Sequence, residues 1–459
     1  MKTTFLYLVL AVAPSSVFAG SDAIENYVAH EWGTFTSVQG ADGVLMPWNP
    51  LESTPLPRFV YDWNKPGLGR RPASALNRDT KSVFITLQRM ETPVIYFYSD
   101  RERTVDVTVR FPQGLITEWF PQAQDIGPSA FPPNKLATAL DGFVQRAGLS
   151  PRITLASIFG RKGVPDSRIA WKNVRLLPAV HDSQVAGEIP TVDSGNQYFA
   201  ARETDAAFVR VNSPDKAGPA IEQEKFLFYR GVANFKTPLQ VTFNGGNDTN
   251  LFLRNTGTDE LRHLFVLAVR RGQGKFVQAD GVPPGQHVYA ELKSEQDLLP
   301  LDELVARISA RMSEALEQEG LYRREAVAMV KTWRKSWFEE DGLRVLYVLP
   351  RHWTDDTLPL TLEPGPRELV RVMVGRAEII APATDWELLK QIVRYSQPDA
   401  AGRQEAIASV RQLGLGRFLQ PAVAKVLGHY PSREFSQTAW ELMNDAVAKR
   451  NNEESLASR

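Results

Sequence analysis

The chain has 459 residues, of which 43% are hydrophobic and 23% are charged, a balance typical of a globular protein with room for domains of roughly 100–200 residues each. Lysine and arginine together number 53, as do aspartate and glutamate, so no net positive charge draws the chain to nucleic acid or to an anionic membrane. Cysteine is absent, which excludes disulfides, zinc–thiolate sites and a cysteine nucleophile.

The first 19 residues, MKTTFLYLVLAVAPSSVFA, have the three parts of a secretory signal peptide. Lys2 supplies the positive start, residues 5–12 form the apolar core, and Val17 and Ala19 fit the small-x-small cleavage pattern. The apolar stretch is shorter than the roughly 20 residues that a membrane-spanning helix needs. We therefore predict cleavage after Ala19 and a periplasmic or extracellular mature chain without a transmembrane segment.

The first predicted strand of the mature chain is AHEWGTFTSVQG, residues 29–40. It is not the zinc motif HExxH, because Thr34 stands where the second histidine would be. In a strand, His30 and Trp32 point to one face and Glu31 to the other. Two interpretations remain open: Trp32 packs in a core while His30 is hydrogen-bonded internally, or the polar side chains line a cleft.

Residues 20–125 are predicted to form an N-terminal β-rich region. Residues 92–99 and 104–111 flank the charged turn DRER, and the alternating valines of the second run are typical of a half-buried strand. We predict that these two runs pair as an antiparallel hairpin and that residues 114–121 add the next strand of a meander.

Two glutamates of this region are candidate catalytic residues. Glu91 lies just before a predicted strand, and Glu118 lies within the next one beside Trp119. A glycosidase places two carboxyl groups on either side of a groove, and a tryptophan next to them suits a sugar ring. With His30 the two glutamates form the candidate catalytic set. The alternative is that each carboxylate faces solvent or pairs with a cation.

The remaining chain divides by composition and periodicity. Short strands separated by Gly, Pro and Asn predict β-sandwiches, and apolar residues at every fourth position predict helices. The predicted regions are a Pro-rich linker with a short helix at 126–150, a second β-rich region at 151–296, a helix pair at 297–342, returning strands at 343–381, C-terminal helices at 382–450 and a flexible tail at 451–459. The predicted fold class is α+β, mainly β, with antiparallel β-sandwich modules, a helix pair and a C-terminal helical tail.

The densest cluster of metal-ligand residue types is His352, Asp355 and Asp356, on a predicted loop after a strand. Loops often carry functional residues, although aspartate-rich turns are also commonly just solvated. Trp353 lies within the same stretch. Together with Trp32 and Trp119 it is a candidate for stacking on sugar rings, and burial in the core is the alternative for all three.

Several motifs together resemble one family. AHEWGTFTS, METPVIYFY, ITEWFP, FYRG, GLRVLYVLP and RELVRVMVGR, spread over residues 27–380, are similar to a family of predicted exported bacterial proteins with an HEWGTFT motif near the mature N-terminus. That family has no established activity, so the resemblance assigns no catalytic residue. It implies an exported protein of a recurring type.

Two functions are compatible with these features. The absence of nucleotide-binding and serine-hydrolase motifs favours an exported binding or assembly protein of the cell envelope, with a glycan or another envelope protein as partner. The alternative is a secreted or periplasmic hydrolase that acts on glycans with Glu91, Glu118 and His30. The sequence identifies no cofactor and no particular ligand.

Overall fold

The structure, a computed structural model, describes residues 25–51, 56–63, 65, 84–128, 153–154, 167–178, 189–213, 221–244, 250–292 and 298–457. The predicted signal peptide and the predicted helix of the linker lie outside the described residues. The fold is α+β and mainly β, which confirms the predicted fold class.

The described residues form 21 β-strands. Their bounds are β1 Glu25–Gly40, β2 Tyr61–Asp62, β3 Phe84–Ile85, β4 Gln88–Ser99, β5 Arg103–Phe111, β6 Gly114–Phe120, β7 Asp125–Gly127, β8 Ile153–Thr154, β9 Ser167–Leu177, β10 Phe208–Asn212, β11 Ile221–Glu224, β12 Leu227–Ala233, β13 Leu239–Phe243, β14 Asn250–Asn255, β15 Leu261–Arg270, β16 Gln273–Val282, β17 His287–Glu291, β18 Leu299–Pro300, β19 Gly342–Leu349, β20 Leu360–Glu363 and β21 Pro366–Ile380.

The described residues also form eight α-helices, with one π-helical and one 3₁₀ segment. Their bounds are α1 Gln197–Ala200, α2 Leu301–Gln318, α3 Arg323–Arg334, α4 Arg351–Thr357, α5 Pro382–Tyr395, α6 Ala400–Gln412, α7 Leu419–His429 and α8 Arg433–Ala457, with the π-helical segment Lys335–Glu339 and the 3₁₀ segment Gly416–Phe418. No helix in the described part of the chain is both long and apolar enough to cross a membrane.

The largest sheet has ten strands in the order β18-β16-β15-β19-β21-β1-β4-β12-β6-β2. Regions that are separate in the sequence therefore contribute neighbouring strands to it. β1 lies near its middle and pairs in parallel with β21, so that Glu31 is opposite Arg371, while its other edge pairs antiparallel with β4. Residues 27–40 are buried without interruption, because both faces of this central strand are covered.

A second sheet of described strands, in the order β11-β10-β9-β5-β20, shares one hydrophobic core with the ten-stranded sheet. Phe35 on β1 and Phe111 on β5 meet in this core, with ring centres 6.4 Å apart. The packing of the two sheets agrees with the predicted sandwich. β13, β14 and β17 form a third sheet whose buried leucines belong to the same core.

The predicted hairpin and meander are wrong in their pairing. β4 and β5 exist and the valines of β5 alternate as predicted, but β4 lies in the ten-stranded sheet and β5 in the second sheet. β6 returns to the ten-stranded sheet, where it pairs with β12. The DRER turn and the turn after β5 therefore carry the chain from one layer to the other. An alternation of apolar and polar residues predicts a half-buried strand, but it does not predict which strand pairs with it.

Two groups of helices complete the fold. α2 and α3 add Leu304, Ile308 and Trp333 to the main core. α5 to α8 enclose a second core, which also takes in Val38 from the end of β1 and Trp48 from the segment after it. The C-terminal helices are thus packed on one end of the large sheet.

Phe35 gives a direct test of the sandwich core. It is fully buried, and its ring meets those of Phe235 and Trp353 at 5.5 Å each. We expect Phe35→Ala to lower the free energy of unfolding by about 3–5 kcal/mol, because it leaves a cavity between the sheets. Urea unfolding is the measurement, with the exposed Val393→Ala as a control that should change it by at most about 0.5 kcal/mol. A loss below about 1 kcal/mol for Phe35→Ala would contradict the two-layer core.

Candidate functional site

Charged side chains gather on one face of the ten-stranded sheet, where β4, β12 and β6 run side by side. Arg89 and Glu91 are two residues apart on β4 and point to the same face. Arg230 lies opposite Glu118 in the pairing of β12 with β6 and interacts electrostatically with both glutamates. We call five residues the arginine cluster: Arg89, Glu91, Glu118, Arg230 and Arg417.

Arg417 reaches the arginine cluster from the C-terminal helices. It lies in the 3₁₀ segment Gly416–Phe418, between α6 and α7, and its Nη1 donates to Oε1 of Glu91 at 3.1 Å. Its guanidinium carbon lies 5.5 Å from the ring centre of Trp48 and 5.0 Å from that of Phe418. These aromatic rings hold the cation by cation–π attraction, so the C-terminal helices close over this part of the sheet.

The arginine cluster is almost entirely withdrawn from solvent. Arg89 is 1% exposed, Arg230 2%, Glu91 4% and Glu118 7%. The side chain of Arg417 is the most accessible of the five, at 13%. Arg417 is therefore the member of the arginine cluster that is most exposed to solvent.

Within the arginine cluster three arginines lie with two glutamates, and among the other described carboxylates Glu340 also interacts electrostatically with Arg417. Burial alone would raise the pKa of Glu91, but the charges of Arg417, Arg89 and Arg230 outweigh it and lower that pKa to about 2. Burial, followed by the charges of Arg230 and Arg417, lowers the pKa of Arg89 to about 9 even though Glu91 and Glu118 oppose the shift. The guanidinium groups are thus incompletely compensated.

Several buried N–H donors of the arginine cluster have no acceptor in the described part of the chain. They are Nε of Arg89, Nε of Arg230, and both Nε and Nη2 of Arg417. A buried donor left without a partner costs roughly 1–3 kcal/mol, and more when the group is charged. Donors of this kind, on charged groups that already repel one another, would be stabilised by an anion.

The neighbouring charges on the same face are, by contrast, well paired. Arg376 contacts Glu378 at 2.9 Å and Glu340 at 2.8 Å, and these carboxylates raise its pKa against the effect of burial. Arg344 pairs with Glu378 at 3.0 Å and donates to the carbonyl oxygen of Trp337. This network connects the sheet to the π-helical segment and gives no sign of a missing partner apart from Nη1 of Arg376.

Backbone geometry next to Glu91 explains a glycine of the HEWGTFT segment. Thr92 has φ +47°, an uncommon value for a β-branched residue, and the pairing of β1 with β4 shifts register at this point. A Cβ on Gly33 would lie 2.9 Å from Cα of Pro93, which is too close. Gly33 therefore admits the irregular backbone that follows Glu91.

His30 does not join the arginine cluster. Its Nδ1 lies 2.6 Å from Oε2 of Glu325 on α3, and both side chains are fully buried. Thr34 is the residue opposite Glu91. His30 is four residues from Thr34 along β1, roughly 13 Å at the usual rise of a strand. Of the two interpretations left open for His30, the structure has the internal hydrogen bond, and it does not bring His30 together with Glu91 and Glu118.

Glu31 points to the opposite face from His30, as the strand periodicity predicts. Nε of Arg371 donates a hydrogen bond to its carboxylate at 2.7 Å, and the hydroxyl of Tyr229 donates a second one. Arg371 also contacts Asp355 at 2.8 Å and donates to the carbonyl oxygen of Leu358. The negative charge of Glu31 is therefore compensated by Arg371 inside the sandwich.

The three tryptophans that were candidates for stacking on sugar rings lie in different environments. Trp32 and Trp119 are fully buried, so neither is available to stack on a sugar. Trp353 is half-buried on α4, and its ring packs edge-on against Phe35 and Phe235. Their size and apolar character, rather than an exposed platform, account for their places in the fold.

The proposed metal ligands do not converge. His352, Asp355 and Asp356 lie on helix α4 and not on a loop, because the chain turns helical directly after Pro350. Asp355 turns away to pair with Arg351 and Arg371, at 2.8 Å each. His352 and Asp356 remain 3.6 Å apart, and no group of three or more ligand-type side chains that could hold a metal occurs in the described residues.

Sequence reasoning identified the two glutamates of the arginine cluster but missed the arginines. Arg89 and Arg230 occur in QRMETP and FYRG, at positions where a period-2 pattern favours an outward-facing polar residue. For Arg230 the signal that could have found it is the apolar run FLFYRGV, whereas Arg89, between Gln88 and Glu91, carries no such signal. A strand that is apolar on both sides of a lone arginine is buried on both faces.

Comparison with known proteins adds little. No family model and no curated protein matches the chain. Among solved structures, the chain is similar to the Fcho1 Mu homology domain of Danio rerio with bound Eps15 peptide, at 5% identity and TM-score 0.29, covering 78% of this chain and 99% of that one. It is also similar to the yeast delta-COP-I mu-homology domain complexed with Dsl1 WxWxV peptide, at 7% identity and TM-score 0.25, covering 77% and 98%. Scores this low carry no argument about ligands or partners.

The lowered pKa of Glu91 predicts a particular acid sensitivity. A carboxyl whose pKa is about 2 when folded and about 4.5 when unfolded stabilises the fold above pH 4.5, and this contribution is lost as the pH falls towards 2. We expect the difference in free energy of unfolding between the wild type and Glu91→Gln to be about 3 kcal/mol at pH 7 and to shrink between about pH 5 and pH 2.

Urea unfolding of both proteins across this pH range measures the difference directly. Because Gln cannot titrate, other acidic groups cancel in the comparison. A difference that stays constant from pH 7 to pH 3 would show that Glu91 is not held ionised by its arginines.

Proposed function

We propose that the chain is an exported binding protein that holds a small oxyanion at the arginine cluster. The observation that carries the proposal is the set of buried, charged N–H donors on Arg89, Arg230 and Arg417 that have no acceptor in the described part of the chain. The signal-peptide pattern of residues 1–19 supports the export, and the family resemblance agrees with it.

An oxyanion is the ligand class that matches these donors. A guanidinium group presents its N–H bonds in a planar fork that fits two oxygens of a carboxylate or phosphate. Three guanidinium groups lie around two carboxylates in the cluster, and burial lowers the pKa of Arg230 although Glu118 and Glu91 oppose the shift. A cation or an apolar ligand would increase the electrostatic cost already present.

Binding is supported better than hydrolysis. Glu91 is held as a carboxylate by three arginines, so it is not available as a general acid near neutral pH. His30 is engaged with Glu325, and Trp32 and Trp119 are in the core. Burial raises the pKa of Glu224, as a general acid would require, but this carboxyl group pairs with Arg202 in another part of the fold.

Anion binding can be measured by isothermal titration calorimetry at low salt with inorganic phosphate, sulfate and acetate. We expect Arg417→Gln to weaken the binding of the preferred ion at least about tenfold, because it removes a charged donor worth roughly 1.5–3 kcal/mol. Arg417 is partly exposed, so this variant disturbs the fold less than replacement of Arg89 or Arg230.

The matched control is Arg307→Gln, an exposed arginine on α2 paired with Glu303. It should leave anion binding unchanged. Absence of binding of all three ions to the wild type at millimolar concentrations, or equal weakening in both variants, would overturn the proposed function.

Export has its own test. We expect the full chain, expressed in a bacterial host with a periplasm, to be recovered from the periplasmic fraction with Gly20 as its first residue. Mass spectrometry of the intact protein reads this directly. A chain that keeps residues 1–19 and fractionates with the cytoplasm would contradict the export.

A further inference from the structure

Of the three arginines of the arginine cluster, Arg417 alone comes from outside the sheet. It uses Nη1 to bind Glu91, while its Nε and Nη2 have no acceptor in the described residues. Trp48 and Phe418 face its guanidinium. Trp48 is itself fixed, because its backbone exchanges hydrogen bonds with Thr86 and its Nε1 donates to the carbonyl oxygen of Leu87. The aromatic rings therefore support Arg417 whichever anion it binds.

Glu91 already holds the arginines of the cluster. Its carboxylate lies 3.1 Å from Nη1 of Arg417 and 4.0 Å from Nε of Arg89, and Arg230 interacts with it electrostatically. It reaches this position beside the strained backbone at Thr92. The guanidinium that contacts Glu91 most closely, that of Arg417, is also the most solvent-exposed of the three.

The turn that carries Arg417 contains two glycines in the left-handed region, Gly414 at φ +69° and Gly416 at φ +50°. Glycine adopts this conformation without the steric cost that other residues have. The turn belongs to neither of the helices that flank it. Arg417 is therefore positioned by a turn between α6 and α7 and not by either helix.

We infer that Glu91 is a built-in competitor of the ligand, and that an incoming oxyanion takes over Arg417 from Glu91. This inference rests on the proposed oxyanion binding and adds how that same site is regulated. It makes the affinity of the site depend on a carboxylate that the protein itself supplies. Whether Glu91→Gln raises or lowers the affinity for the anion then distinguishes a competitor from an ion pair that only stabilises the fold.

The test is the titration of inorganic phosphate into the wild type, Glu91→Gln, Glu224→Gln and Arg417→Gln by calorimetry. Removing the competitor should make Glu91→Gln bind phosphate about tenfold more tightly than the wild type, whereas Arg417→Gln should bind it more weakly. Glu224→Gln is the matched control, because it removes one fully buried negative charge that pairs with Arg202, outside the arginine cluster. An equal gain in Glu224→Gln, or no gain in Glu91→Gln, would overturn the inference.

The outcomes also separate the inference from the proposed function. If no protein of the set binds phosphate, sulfate or acetate, the proposed oxyanion site itself fails. If the wild type binds and Arg417→Gln is weakened but Glu91→Gln shows no gain, only the competition between Glu91 and the ligand fails.

A measurement on the wild type covers the case in which Glu91→Gln does not fold. In protein labelled with ¹⁵N-arginine, the Nε–H resonance of Arg417 can be assigned as the one lost in Arg417→Lys. We expect it to shift on addition of phosphate, while that of the exposed Arg324, assigned in the same way, stays in place. A resonance of Arg417 that does not move at phosphate saturation would overturn the exchange of partners.

Discussion

A strand buried on both faces has to give its charged side chains partners inside the protein, and β1 is such a strand. His30 finds Glu325 on one face, and Glu31 finds Arg371 and Tyr229 on the other. Because β1 is central, its partners come from strands and helices far away in the chain. The interior of this protein is therefore tied together by charges as well as by apolar contacts.

The same constraint explains which parts of the fold the sequence could predict. The existence and burial of single strands follow from local patterns, as the alternating valines of β5 illustrate. The pairing of β1 with β21 does not, because Glu31 and Arg371 are 340 residues apart and parallel neighbours carry no turn signal between them. The change of layer between β4 and β5 is hidden for a related reason: a short charged turn can join strands of one sheet or of two.

The candidate site was accessible to sequence reasoning only in part. Glu91 and Glu118 stand out as acids within apolar strands, but their chemistry depends on the arginines that the fold brings to them. Arg417 reaches Glu91 from the opposite end of the chain, and the separation of 326 residues leaves no trace in spacing or composition. In the sequence, a catalytic carboxylate pair and the acidic part of an arginine cluster have the same pattern. Only the positions of the arginines in the fold distinguish them.

Buried arginines are a costly way to stabilise a core. Moving charged groups out of water costs several kcal/mol each, and well-packed apolar residues of the same volume are often equally or more stabilising. The network of Arg376, Arg344 and Glu378 recovers much of that cost through close pairing. The arginine cluster recovers less, because burial and the charges of Arg230 and Arg417 lower the pKa of Arg89, and four buried N–H donors of the cluster have no acceptor among the described residues. The two groups of charges therefore differ in degree: one buried guanidinium atom, Nη1 of Arg376, lacks a partner among the described residues of the network, against four in the arginine cluster.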